Sequence, residues 1–290
     1  MTQKFTLHTH TMGFDGQHSA AGMVAAAKNS GMHTIGISNH FIVHPDISRA
    51  RFYKYAQKGG YEQIYSHSFP QIMSHFAPHY NELAHVSAAS RDICVLRGME
   101  VDFFQDANWQ RGFERAVREL RPDYIIGACH LIEYNGRLCN VHDIYTASQE
   151  SPEDARKMLK IYWDNVTSAA KSGMFSWIAH LDLPKKVGMG CGPEWHDAEY
   201  GAVCALAANG VATEINTSGF SRRNSYEPYP SSRVMRMLAE QNVPVVFSDD
   251  AHAMHQIGRH FELAQKMATG HGVTNFANLH KILAFSGKTL

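Results

Sequence analysis

The sequence has no surplus of either charge: 27 Lys and Arg are matched by 27 Asp and Glu, a formal net charge of zero. Proteins that coat nucleic acid or lie on anionic membranes carry a basic excess, so neither long nucleic acid nor a membrane is an expected partner. No stretch approaches the roughly 18 uninterrupted apolar residues that mark a transmembrane helix. The opening MTQKFTLHTH has one Lys and lacks the apolar core of a leader, so no signal peptide is expected. Cysteine is scarce. Cys94, Cys129, Cys139, Cys191 and Cys204 are odd in number and show no CxxC spacing, which argues against a disulfide framework and for reduced thiols in a cytoplasmic protein. Low-complexity runs, internal repeats and Gly/Ser/Pro-rich linkers are also missing, so one domain is expected over residues 1–290. Against these absences stands histidine, with 19 residues.

Short β-branched apolar runs recur at 4–8, 34–38, 94–99, 124–129, 175–179, 211–215 and 243–247, most of them followed by helical patterning. Helices are predicted at 19–30, 152–172, 196–208, 231–241 and 257–268. Ser19 is placed to cap the first, and Pro152-Glu-Asp suits a first turn. Strands alternating with helices imply a parallel sheet, and seven such units in 290 residues point to a closed α/β barrel. Residues 51–90, polar and rich in Tyr and His, read as an irregular or helical excursion between strands two and three, near the substrate mouth.

The chemistry lies after the strands. The first is followed by His8-Thr-His10 and Asp15-Gly16, the second by Asn39-His40, and the third carries Glu100-Val-Asp102. The remaining four lead into His130, His180-Leu-Asp182, Glu214-Ile-Asn216 and Asp249-Asp250-Ala-His252. In a barrel of parallel strands all these ends share one face. Alternation with period two places both imidazoles of His-x-His on one side. Imidazole and carboxylate are ligands for Zn, Mn or Fe. His8, His10, Asp15, His40, Glu100, His130, His180, Asp250 and His252 are therefore candidate ligands, enough for two or three divalent ions sharing a carboxylate, with Glu100 a reasonable bridge. His18 competes with Asp15 for its place.

These motifs, with Gly127-Ala-Cys-His130 and Asp250-Ala-His252, resemble in type and order those of the polymerase-and-histidinol-phosphatase (PHP) family of metal phosphoesterases. Within it, Ala179-His180-Leu-Asp-Leu-Pro-Lys-Lys186, Asn216-Thr-Ser-Gly219 and Glu227-Pro-Tyr-Pro230 are similar to the histidinol-phosphate phosphatases. The resemblance implies a distorted (β/α)7 barrel with the metal site at the C-terminal ends of the strands. It also implies a trinuclear arrangement: His8, His10, Glu100 and Asp250 at one ion, Glu100, His130 and His180 at a second, Asp15, His40 and His252 at the third. Asn39 departs from the pattern, since many relatives carry Asp there.

The implied activity is hydrolysis of L-histidinol phosphate, a step of histidine biosynthesis, by a metal-activated hydroxide. Arg222, Arg223, Lys185 and Lys186 are the candidates to bind phosphate oxygens. The leaving alcohol takes its proton from Asp250, His252 or a metal-bound water, alternatives the sequence leaves open. The substrate's ammonium calls for a carboxylate near the mouth, with Asp102, Asp182 and Glu227 as candidates. Two other readings stand beside this one: a PHP phosphoesterase for nucleotides or another small phosphate, and a metal-binding module without catalysis. The oligomeric state is not legible.

Overall fold

The computed structural model describes residues 3–222 and 226–285. In chain order its elements are β1 (Phe5–Thr6), α1 (Ala20–Asn29), β2 (Thr34–Ile37), β3 (His40–Val43), α2 (Arg51–Gly59), β4 (Tyr65–Ser66), α3 (Phe69–Ala89), β5 (Cys94–Asp102), α4 (Ala107–Leu120) and β6 (Tyr124–Ala128). There follow β7 (Ile132–Tyr134), β8 (Arg137–Cys139), α5 (Val141–Glu150), α6 (Pro152–Ser172), β9 (Trp177–Ile178), α7 (His196–Asn209), β10 (Ala212–Asn216), α8 (Ser232–Glu240), β11 (Val245–Ser248), α9 (Phe261–Gly270) and α10 (Leu279–Phe285).

Strands pair in parallel in the order β1-β2-β5-β6-β9-β10-β11. The two ends of that row meet. Ala251 N donates to His8 O (3.1 Å), His10 N to Ala251 O (2.8 Å), and Thr6 Oγ1 to Asp249 Oδ1 (2.8 Å). The result is a nearly closed barrel of seven parallel strands, the distorted (β/α)7 form expected. All seven predicted strands and all five predicted helices are present. Helix α6 has the predicted bounds, with Pro152 in its first turn, Ser151 Oγ accepting from Asp154 N and left-handed Gly173 ending it.

The excursion after the second strand is mainly helical, one of the two forms expected for it. It holds α2, the short strand β4, which pairs with β3, and the 21-residue α3. β2 and β3 form one run interrupted at Ser38–Asn39. β5 is long enough to pair with both pieces, through Thr34↔Cys94 and then His40↔Glu100.

Two apolar layers hold the barrel. The larger lies between strands and helices. The smaller fills the barrel with Leu7, Tyr124, Ile126, Trp177, Ala179 and Val246. Tyr124 and Trp177 stack at 5.3 Å, and Tyr124 Oη donates to Leu7 O (2.6 Å). This ring occupies the space a side chain at Gly36 or Gly98 would need. Glycine there serves close approach, since neither residue has a positive φ. Gly98→Ala is therefore expected to lower unfolding free energy by about 1–3 kcal/mol, the usual cost of overpacking. Urea denaturation checks this, and an unchanged midpoint would show that Tyr124 does not need the gap.

Candidate metal centre

All nine imidazoles and carboxylates expected at the strand ends converge at one mouth of the barrel. Glu100, on β5 and 1% exposed, is at their centre. Its Oε2 lies 3.3 Å from His8 Nε2, 3.5 Å from His10 Nε2 and 2.9 Å from His40 Nδ1. Its Oε1 lies 3.3 Å from His130 Nε2 and 3.0 Å from His180 Nε2. Asp15 is the second focus, with Oδ2 at 3.2 Å from His40 Nε2 and 3.1 Å from His252 Nε2, and Oδ1 at 3.4 Å from His10 Nδ1. Asp250 is the third, with Oδ1 at 3.4 Å from His10 Nε2 and 3.7 Å from His8 Nε2.

Three groupings place one donor atom per residue within 4.8 Å of one another: His8, His10 and Glu100; His40, Glu100 and His130; and His10, Asp15, His40 and His252. His40 and His10 thus each face two groupings, more sharing than the motifs implied. His18 stays outside; its Nδ1 accepts from Met254 N (3.4 Å).

The donor atoms fit divalent ions. His8 Nε2, both nitrogens of His10, His40 Nδ1, Asp15 Oδ1 and Glu100 Oε2 are buried without a hydrogen-bond partner among the described residues. Buried polar atoms are normally satisfied, and here they point at one another across ion-pair distances. Burial opposes the charged forms, but mutual attraction outweighs it. Glu214, Glu100 and Asp250 hold His8 well above the usual imidazole range, and Asp15 and Glu100 do the same for His40. The imidazoles in turn hold Asp15, Glu100 and Asp250 well below the carboxylate range. His130 is the exception, pushed down to about 4 by burial. Such a set stays charged and compact, which suits exchange of protons for hard cations.

Residues behind the cluster aim it. Glu214, fully buried on β10, stands at a strand end but is not among the expected ligands. It accepts from His8 Nδ1 (2.9 Å), Trp177 Nε1 (3.0 Å), His180 N (3.1 Å) and Asn216 Nδ2 (2.7 Å). It therefore turns His8 Nε2 toward Glu100. Asn216 Nδ2 and Ser218 Oγ reach Asp250 Oδ2 at 3.4 and 3.3 Å, leaving Oδ1 to the imidazoles. Asp250 itself has φ +46°, a left-handed conformation that Asp tolerates better than most residues. Asn39 Oδ1 accepts from Thr11 N (2.8 Å), while its Nδ2 meets Thr11 Oγ1 (2.9 Å) and His79 Nε2 (3.0 Å). His79, on α3, thus ties the excursion to both ligand strands.

The cluster forms one wall of a cavity of about 220 Å³. Lys186 and Arg222 line it together with Ser218, Asn140, His142 and Tyr229. Lys186 makes no hydrogen bond or ion pair with the described residues, and burial and then Arg222 lower its pKa. Lys185 corrects the expectation that it binds phosphate. Its Nζ donates to Pro228 O (2.5 Å), lies 3.6 Å from Asp182 Oδ2 and sits over the Tyr229 ring at 5.0 Å, so it braces the 227–230 segment. Arg223 lies outside the described residues. The expected mouth carboxylate is also corrected. Asp102 and Asp182 are fully buried and bonded to His130 N and Ser231 N, while Glu227 accepts from Ser232; none of the three lines the cavity. In the excursion, Tyr61, Ile64 and Tyr65 reach the cavity. Tyr53 and Phe69 pack on the core and Tyr55 faces solvent.

A model of the PHP domain matches residues 6–218, well over half of the chain. A Deinococcus radiodurans protein named "Probable histidinol-phosphatase" is 33% identical over 172 residues, 59% of this chain and 63% of that protein. A Schizosaccharomyces pombe protein of the same name is 30% identical over 112 residues, 36% of each. The matched stretches thus span less than two thirds of these relatives. The structure of histidinol phosphate phosphatase from Lactococcus lactis, complexed with zinc, L-histidinol and phosphate, superposes with a TM-score of 0.70 at 16% identity, covering 97% of this chain and 98% of that one. Among the described residues no helix is long and apolar enough to cross a membrane.

Two measurements probe the supporting residues. Glu214→Gln weakens the hold on His8 and is expected to reduce metal affinity about 10- to 100-fold; competition with a chromophoric chelator reads this, and wild-type affinity would remove Glu214 from the site. Burial lowers His79 from its ordinary 6.5 to about 4. A depressed base stabilises the fold above its unfolded pKa and loses that contribution as pH falls through the folded one. Unfolding free energy should thus drop by roughly 3 kcal/mol between those values, and His79→Gln should flatten the slope. An equally steep slope in the variant would assign the acid sensitivity elsewhere.

Proposed function

Because the chain belongs to the PHP domain family, we propose that it is a metal-dependent phosphomonoesterase that hydrolyses L-histidinol phosphate to histidinol and phosphate. The observation that carries the reading is a cluster of buried imidazole and carboxylate atoms, unsatisfied among the described residues, that forms the wall of a small cavity also lined by Lys186. The names of the two sequence relatives and the ligands of the Lactococcus protein support the choice of substrate.

His8, His10, Asp15, His40, Glu100, His130, His180, Asp250 and His252 would hold two or three ions of Zn, Mn or Fe. Such ions supply, when bound, a water acidified toward neutrality and positive charge for the phosphate. The chain's own residues do the rest. Lys186 and Arg222 bind the non-bridging oxygens from the side of β9 and β10, and Ser218 steadies Asp250. Asp250, kept ionised by the surrounding imidazoles, holds no proton to give at neutral pH. His252 Nε2 faces Asp15. Asp250 therefore acts by ligation, and the leaving alcohol takes its proton from His252 or from water in the mouth.

The cavity of about 220 Å³ and the balanced charge favour a small phosphate ester over an oligonucleotide. Phosphate release from L-histidinol phosphate is expected with metal-loaded protein and should be lost on chelation. Asp250→Asn should lower kcat/KM by more than about a hundredfold, beyond the effect typical of an outer partner. Lys186→Met should lower it about 10- to 100-fold, the range of one charge-assisted hydrogen bond. Turnover of nucleotides or sugar phosphates alone would move the substrate assignment, and no turnover from fully loaded protein would favour a binding module.

A further inference from the structure

The cavity has two unlike sides. Lys186 and Arg222 follow β9 and β10, whereas Tyr61 and Tyr65 come from the excursion after β3, across the ring of strands. Among the described residues lining it, the carboxylates are Asp15, Glu100 and Asp250, and each is packed among imidazoles. None is left to pair with a cation on the leaving group. Glu62, between the two tyrosines in sequence, is not among the lining residues.

The tyrosines are held in place by the fold. Tyr65 is registered against Ile42 in the β3–β4 pair and packs on Phe52 at 5.2 Å. Gln63 Nε2 donates to Gly13 O (2.7 Å), pinning the segment over the loop that carries Asp15. Aromatic rings attract ammonium groups, more strongly where water is excluded, and they also receive a planar heterocycle.

We propose that Tyr61 and Tyr65 form the leaving-group subsite, receiving a cationic, ring-bearing alcohol on aromatic surface instead of pairing its ammonium with a carboxylate. The proposal rests on the phosphatase reading above and gives it its specificity. Phosphate is fixed at the cationic side and the cluster, so the alcohol extends toward the tyrosines.

The test compares kcat/KM of the metal-loaded protein for L-histidinol phosphate and for 3-(imidazol-4-yl)propyl phosphate, the same ester without the amine. The wild type should prefer the amine. Tyr61→Leu and Tyr65→Leu should each reduce that preference about 5- to 30-fold, while Tyr65→Phe and Glu62→Gln should retain it. No preference in the wild type, an unchanged ratio in both Leu variants, or its loss in Tyr65→Phe or Glu62→Gln would overturn the proposal. The last two results would assign recognition to the hydroxyl or to a carboxylate. If Tyr65→Leu does not fold, Tyr61→Leu and Tyr65→Phe still decide. Failure of the wild type to hydrolyse L-histidinol phosphate at all would instead remove the phosphatase reading, a distinct outcome.

Discussion

Everything at the mouth of this barrel is arranged around the buried carboxylate of Glu100. Five imidazoles, from His8, His10, His40, His130 and His180, approach it within 2.9–3.5 Å. A buried carboxylate without compensating charge costs several kcal/mol, so the site needs cations, whether protons on the imidazoles or metal ions between them. The same constraint explains why its ligands come from different strands. No single segment could present so many donors to one pair of oxygens, whereas the C-terminal ends of parallel strands do so by geometry.

A second set of residues makes the arrangement specific. Glu214 and Asn216 on β10, with Trp177 from the barrel interior, fix His8 and Asp250 from behind. Asn39 does the same for the first two ligand strands and passes the constraint to His79 on α3. The excursion therefore has two duties: α3 braces the ligand strands, and the segment around β4 brings Tyr61 and Tyr65 to the cavity.

The strands and the nine cluster residues were legible because their signals are local: a β-branched run, then a ligand type at its end. Other features depended on partners that sequence spacing does not reveal. Glu214 stands at a strand end like the others, but its four hydrogen-bond donors turn it away from the cavity. Lys185 and Lys186 are neighbours, yet one braces Pro228 and the other faces the cavity. Asp102 and Asp182 carry suitable charge and are sealed behind His130 and Ser231. Helix α4 is not among the expected helices, although Trp109, Phe113, Ala116, Val117 and Leu120 give it a well-formed buried face.

The most direct test of the central claim is anomalous diffraction from crystals of the protein loaded with Zn or Mn, collected above and below the metal edge. The account expects two or three peaks around Glu100, with first-coordination distances of about 2.0–2.2 Å to the imidazole and carboxylate atoms named here. No peak at the cluster in protein shown to carry metal, or ions bound only elsewhere, would contradict it.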